Sequence, residues 1–494
     1  LAGAIWGISV VRLLLAWCTL FAVSALSAAC STEPHGPDLA MTYNASASYE
    51  GPDRNPIIVI PGLLGSKLQD QATQMMVWGA YDALSADPKD PEGLRLLSLP
   101  VGNGSEPLAL LRDQVEAVAV LDKAHVSVLG IPFELEVYGG ILRVLGVGGY
   151  RDEALGLAGE IDYGPDHFTC FQFPYDWRRD IVDSARLLAD FIKEKRAYVQ
   201  AEYQRRFGIE NVDVKFDIAT LSMGGLVTRY FLMYGDRDLP ADGSQPELTW
   251  EGAKYVERVV FVGTPNAGSV LAFENLVNGT DLGPFLPFYP PALIGTFPSA
   301  YQLVPRARHK VVVWDGDLDK PITDLLDPGL WERMHWGLAA PDQESLLADM
   351  MPDVSDLEER RRRALKLQEK ILARAEAFQR AMDRPASPPP GLQMFLVLGD
   401  GHQTPMIASV SSEDGSFDII GYGDGDGTVP RYSGLMDERM GGEWQQRATS
   451  PIAFHSVLFL PEEHANLTKS PVFRDNVLYW LLQDPRPTLR LVKR

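Results

Sequence analysis

The sequence predicts an α/β fold: a mostly parallel central sheet flanked by helices, with large insertions. Three observations carry this. Short runs such as "IIVI" at 57–60 are apolar without alternation and are closed by Pro or Gly, the pattern of strands buried on both faces. Such runs recur in "FTCFQFPYDW", "VKFDIATL", "YVERVVFVGTP" and "LQMFLVLGDG", and helical stretches such as "DSARLLADFIKEKRAYVQAEYQRR" separate them. Strands alternating with helices form parallel sheets through right-handed crossovers. Finally, 494 residues at 46% hydrophobic and 22% charged are enough for one large core carrying insertions.

Along the chain, residues 1–30 read as a signal segment, because Arg12 precedes the apolar run "LLLAWCTLFAVSALSAAC". A retained anchor helix is the alternative, since the run is long enough to span a bilayer. "LSAAC" before "STEPHGPD" resembles a bacterial lipoprotein cleavage box, with Cys30 the lipidated residue and Ser27 departing from its usual aliphatic. The expectation is export, either to a bacterial cell envelope or as a secreted protein. Residues 31–54 read as a polar tether. Residues 55–270 make the N-terminal part of the core, with a lid insertion at about 70–165 that shows little strand pattern. Residues 271–390 make a cap insertion with a long helix, expected to start at a Ser355/Glu358 capping box. Residues 391–494 complete the core. Cys18 and Cys30 belong to the leader, so Cys170 stands alone in the body, as a small buried hydrophobe with no disulfide framework.

The formal net charge of −21 argues against nucleic acid, which requires a basic face. It also predicts no long-range attraction to anionic lipid, so any membrane contact is apolar and local. P-loop, dinucleotide and zinc spacings are absent from the sequence, and no cofactor is implied.

The chemistry concentrates at "DVKFDIATLSMGGLVTRYFLMYG", 213–235. Alternating apolar residues lead to Ser222, and helical spacing follows it. A one-residue strand-to-helix turn lifts a serine hydroxyl clear of the backbone and needs small neighbours, here Gly224 and Gly225. The competing reading is an ordinary serine N-cap. A nucleophilic serine needs an imidazole base held by a carboxylate, and in such sheets these follow in the order acid, then histidine. Asp424 and Asp426 lie in "IIGYGDGDGTVP", and Asp426 heads the turn. A calcium loop is disfavoured because its twelfth position is Leu435. His464 in "FLPEEHANL" is the chosen base, with His455 and His402 as rivals. An oxyanion hole takes two amides, Met223 after the serine and Leu63 in "PGLLG" after the first strand. His402 and Trp78 are candidates to line the substrate pocket, Trp78 from "QMMVWGAYDAL". "FLPFYPPALIGTF" offers a second apolar wall for a groove or a membrane surface.

Together "IIVIPGLLGSKL", "FPYDWRRD", "LSMGGLVTRYFL", "VGTPNAGS", "GDGHQTPM", "YGDGDGTVP" and "EEHANL" resemble, in order, the lecithin–cholesterol acyltransferase family of α/β hydrolases. That family includes lysosomal phospholipase A2 and phospholipid:diacylglycerol acyltransferases. The resemblance implies Ser222 as nucleophile, Asp426 as acid and His464 as base, with the Leu63 and Met223 amides as oxyanion hole. Thr264 of "VGTPNAGS" is a further substrate-side candidate. It implies transfer of an acyl chain from a glycerolipid to serine, then to water or an alcohol. Three departures stand out: Thr220 replaces the usual first Gly, Leu221 replaces His, and the animal lid disulfide cannot form. "PYDWR" is expected to be structural, with a role for Arg178 at a lipid head group as the alternative. Two other functions stay open: a carboxylesterase or lipase on neutral or soluble esters, and a surface lipoprotein that keeps the fold but only binds lipid.

Overall fold

The computed structural model describes residues 39–485, apart from 82–84, 122, 129–130, 137–138, 165–166 and 282–286. The expected leader, with Arg12, Cys18 and Cys30, lies outside the described residues. The chain divides into two compact units, 1–42 and 43–494; of the first, only the helical turn Leu39–Thr42 is described. Among the described residues no helix is long and apolar enough to cross a membrane.

The second unit is built on six parallel strands. In chain order they are β1 (Ile57–Ile60), β2 (Cys170–Gln172), β3 (Phe216–Leu221), β4 (Val256–Val262), β5 (Gln393–Gly399) and β6 (Ser456–Leu460). Their spatial order is β6-β5-β4-β3-β1-β2. Every residue of β1, β3, β4 and β5 is buried, which is why "IIVI" shows no alternation; in β3 the burial extends even to Asp217 and Thr220, where the sequence alternates. The register sets Ile58 between Phe171 and Ile218, and Val260 between Ala219 and Phe395. Helix α1 (Ile181–Phe207) is capped by the Asp180 carboxylate, which accepts from the Val182 amide. Helix α2 (Gly224–Tyr234) leaves β3, and all eleven of its residues are buried.

The insertions differ from the sequence reading. The 70–165 region contains strands: Met76–Trp78 and Val115–Val120 flank Ser66–Asp70 in one antiparallel sheet. A register shift at Lys67/Leu68 and the outward-facing Val118 break the two-residue period there. In the second insertion, Val312–Trp314 joins the hairpin His402–Val410/Phe417–Gly425, binding the insertion to the C-terminal core. Helix α3 (Leu357–Met382) starts one residue later than expected: Asp356, not Ser355, is its cap, accepting from the Glu359 amide at 2.8 Å. Its apolar face, with Leu367, Ile371, Phe378 and Met382, is fully buried. It packs on α2, where the Tyr234 hydroxyl donates to the Ala381 carbonyl at 2.8 Å and Phe378 stacks on Tyr230. The tether is also tied down in part: the buried Tyr43 donates its hydroxyl to Asp475.

Candidate active site

Ser222 follows the last residue of β3 at the carboxyl ends of the strands, with φ 49°. A non-glycine residue in the left-handed region is strained, and such strain collects at nucleophile turns. The Ser222 amide donates to the Val262 carbonyl at 2.7 Å, which ties the turn to the end of β4. A Cβ on Gly224 would fall 2.3 Å from the Pro61 carbonyl oxygen, so only glycine lets α2 begin this close to the end of β1. Thr220 is completely buried, and its size is accommodated despite the departure from glycine. The sharp strand-to-helix turn therefore exists where the sequence suggested it, in place of an ordinary helix cap.

Asp426 follows the Phe417–Gly425 strand and is 2% exposed. Its Oδ1 accepts from the amides of Thr428 (3.0 Å) and Val429 (2.7 Å). This leaves Oδ2 for His464, whose Nδ1 lies 2.7 Å away. The His464 amide also donates to the Asp426 carbonyl at 2.9 Å. Asp426 and His464 are thus joined by both side chain and main chain. With Nδ1–H given to the carboxylate, Nε2 is the nitrogen left to take a proton.

The imidazole rests against Gly263, the residue after Val262. A Cβ there would lie 2.8 Å from His464 Cε1 and 3.0 Å from Nδ1. Val262, the residue before this seat, accepts from the Ser222 amide, so the ring and the serine turn are both anchored at the carboxyl end of β4. The Ser222 hydroxyl forms no hydrogen bond among the described residues and is partly exposed. Catalytic contacts of this kind commonly tighten only once substrate is bound. The importance of Gly263 was missed in the sequence; its signal was the glycine closing the apolar run of β4.

The rival groups fall elsewhere. His455 is exposed just before β6, its ring edge on Phe395, at the amino end of the strand. At about 3.3 Å per residue it sits on the order of 15 Å from the end where Ser222 lies. Asp424 is exposed and makes no contact with His464. His402 opens the hairpin beside Asp426, with its Nδ1 3.9 Å from Glu463 and its side chain 36% exposed. It stays at the rim of the site.

The Leu63 and Met223 amides are both unspent on hydrogen bonds among the described residues, Met223 at the start of α2. The loop carrying Leu63 is braced from three sides. The Tyr175 hydroxyl donates to the Pro61 carbonyl at 3.0 Å, the Trp78 indole to the Leu64 carbonyl at 2.8 Å, and the Trp177 indole to the Ser66 carbonyl at 3.3 Å. Trp78 is therefore a buttress: 3% exposed, edge-on to Trp177 and Tyr289, it shows no face to a groove. Thr264 is also fully buried, against Gly225, and packs behind the turn. Of the apolar stretches read as substrate walls, Val77, Tyr289 and Leu293 are buried, while Phe288 is 47% exposed.

Arg178 has no exposure, and every N–H of its guanidinium is used. It donates to both Asp176 oxygens, to Asp113 at 2.8 Å, and to the carbonyls of Leu96 and Leu97. Burial alone would raise the Asp176 carboxyl, but the Arg178 and Arg179 guanidiniums outweigh it and hold it below the usual range. "PYDWR" thus clamps the first insertion onto the loop that carries Leu63. Burial, with the Asp152 carboxylate beside it, pushes the Cys170 thiol well up, so it is no nucleophile.

A family model described as Lecithin:cholesterol acyltransferase matches residues 153–470, well over half of the chain. No curated protein matches. Among solved structures, the chain is similar to one in the Tle4-Tli4 complex at 16% identity and TM-score 0.51, over 87% of this chain and 98% of that one. It also aligns with EstA from Clostridium botulinum (12% identity, TM-score 0.27, 88% of each chain). Lipase 1 from Pelosinus fermentans aligns at 11% identity and TM-score 0.28, over 87% and 99%. The fold is that of the α/β hydrolases, and the chain belongs to the lecithin:cholesterol acyltransferase family of lipid acyl-ester hydrolases and acyltransferases.

Proposed function

We propose that the protein cleaves acyl esters of glycerolipids, phospholipids among them, through an acyl-serine intermediate on Ser222. The observation that carries this is the Asp426–His464 pair, joined at 2.7 Å and seated on Gly263 beside the strained Ser222 turn. His464 Nε2 removes the hydroxyl proton as Ser222 Oγ attacks the ester carbonyl. Asp426 stabilises the imidazolium that forms. The oxyanion is received by the Leu63 and Met223 amides, assisted by the positive end of α2. The imidazolium returns its proton to the leaving alcohol, and the acyl-serine remains. Water, activated in the same way, completes hydrolysis, the net reaction in this reading. An alcohol taking its place gives transfer, and exclusion of water from the closed site sets the partition.

Family membership supports lipid esters as the substrate class, and the exposed Phe288 supports apolar contact with a lipid surface. The apolar run at 13–30 supports export with Cys30 acylated, which incorporation of labelled palmitate, lost in Cys30→Ser, would test. For the chemistry, a fluorophosphonate probe followed by peptide mass spectrometry is expected to place the adduct on Ser222. Ser222→Ala is expected to abolish both labelling and turnover. An adduct elsewhere, or turnover surviving in the variant, overturns the reading. Release of fatty acid from phospholipid vesicles, set against p-nitrophenyl esters, separates a phospholipase from a neutral esterase.

A further inference from the structure

We propose that Thr404 is a positioning residue of this site: its hydroxyl locks the peptide turn that aims the Asp426 carboxylate at His464. The inference rests on the reading of Asp426 and His464 as the proton relay. Thr404 lies in "GDGHQTPM", a stretch whose other polar residue at the site, His402, sits only at the rim.

Thr404 has no exposure, although its side chain is polar. Its Oγ1 accepts from the Gly427 amide at 2.8 Å and donates to the His402 carbonyl at 3.0 Å. One hydroxyl therefore ties two segments together: the first strand of the hairpin, and the peptide immediately after Asp426. Around the acid, each neighbouring amide has its own anchor. Asp426 N donates to Val429 O, Gly427 N to Thr404 Oγ1, and the Thr428 and Val429 amides to Asp426 Oδ1. The first, third and fourth of these lie within the turn itself. Of these four amide bonds only the one to Thr404 reaches another strand; with the His464 amide on the Asp426 carbonyl and the His402–Asp426 bridge, it fixes how the turn sits relative to the hairpin.

Loss of the hydroxyl takes away the partner of the part-buried Gly427 amide and one donor to the His402 carbonyl, and the turn can then shift to recover them. Oδ2 is held at 2.7 Å from His464 Nδ1 by this turn, so a small rotation of the 426–427 peptide misaims the carboxylate. A misplacement of about 1 Å in a catalytic constellation can cost on the order of a hundredfold in rate. Thr404 makes its side-chain hydrogen bonds to His402 and Gly427 and none to the serine or the imidazole, so the loss falls on kcat and leaves KM in place.

The test compares Thr404→Val, which keeps the shape without the hydroxyl, with Thr404→Ser, which keeps the hydroxyl. Rates on an ester substrate are normalised to the molar fraction that a fluorophosphonate probe can titrate, which removes misfolded molecules from the comparison. Expected are a kcat about ten- to a hundredfold lower in Thr404→Val at unchanged KM, and near wild-type kcat in Thr404→Ser. Thr404→Val with wild-type kcat per titrated site overturns the inference. Equal loss in both variants also overturns it, because Thr404→Ser keeps the hydroxyl and the loss would then not follow that group. If wild-type protein neither reacts with the probe nor turns over ester, the proposed function fails instead, which is a different result.

Discussion

Replacing Gly263 with alanine tests the seat of the imidazole directly. The added Cβ would lie 2.8 Å from His464 Cε1, 3.0 Å from Nδ1 and 3.1 Å from Leu467 Cδ1. Carbon contacts are comfortable at about 3.5–4.0 Å, so the ring must retreat by roughly 0.7 Å or turn. Leu467 is a flexible aliphatic and yields cheaply. The imidazole is not free to yield, because Asp426 holds it at 2.7 Å and its own amide is bonded to the Asp426 carbonyl. Retreat therefore stretches the acid–base bond or swings Nε2 away from Ser222. Gly263 also has φ 59°, where alanine costs about 1–2 kcal/mol. The expected result is a stability loss of about 1–3 kcal/mol by denaturant titration, combining this strain with the steric shift. The expected drop in kcat/KM is about a hundredfold on folded enzyme, because the base is displaced by a large part of 1 Å. Activity within about threefold of wild type in a folded Gly263→Ala protein would refute the reasoning, since the working imidazole would then lie elsewhere.

Two further substitutions probe the same architecture. Asp426→Asn is expected to lower kcat by about 10⁴ with the fold intact by circular dichroism, because the amide disfavours the Nδ1–H tautomer. Arg178→Met leaves the buried Asp176 and the part-buried Asp113 with Arg179 as their shared cation, so a denaturation midpoint shift worth at most about 3–5 kcal/mol is expected. Because every N–H of Arg178 is already bonded within the protein, its ratio of rates on anionic and zwitterionic vesicles is expected to match wild type; a changed ratio would restore the head-group role.

Much of the sheet was legible because burial on both faces erases alternation. Ile57–Ile60, Val256–Val262 and Gln393–Gly399 stand where buried apolar runs were read, and Phe216–Leu221 where alternating apolar residues lead to Ser222. The strands of the first insertion were not, because a bulge near Leu68 and an exposed Val118 disturb the period on which the reading depends. The cap of the long helix moved by one residue because Ser355 and Asp356 both carry a capping oxygen, and only the fold selects between them. Trp78 read as a groove wall because a tryptophan amid apolar residues suits either role; its indole hydrogen bond to Leu64 is a long-range fact.

The local chemistry of this chain was written in its sequence. The serine turn, the acid-bearing glycine-rich loop and the late histidine each depend on a few adjacent residues, so neighbours along the chain suffice to suggest them. Tertiary structure alone decided which histidine meets which carboxylate, that Gly263 seats the ring, and that Trp78, Thr264 and Arg178 face inward. Those outcomes turn on the order in which strands lie side by side. That order is fixed by burial of the sheet as a whole, which brings residues hundreds of positions apart to one edge.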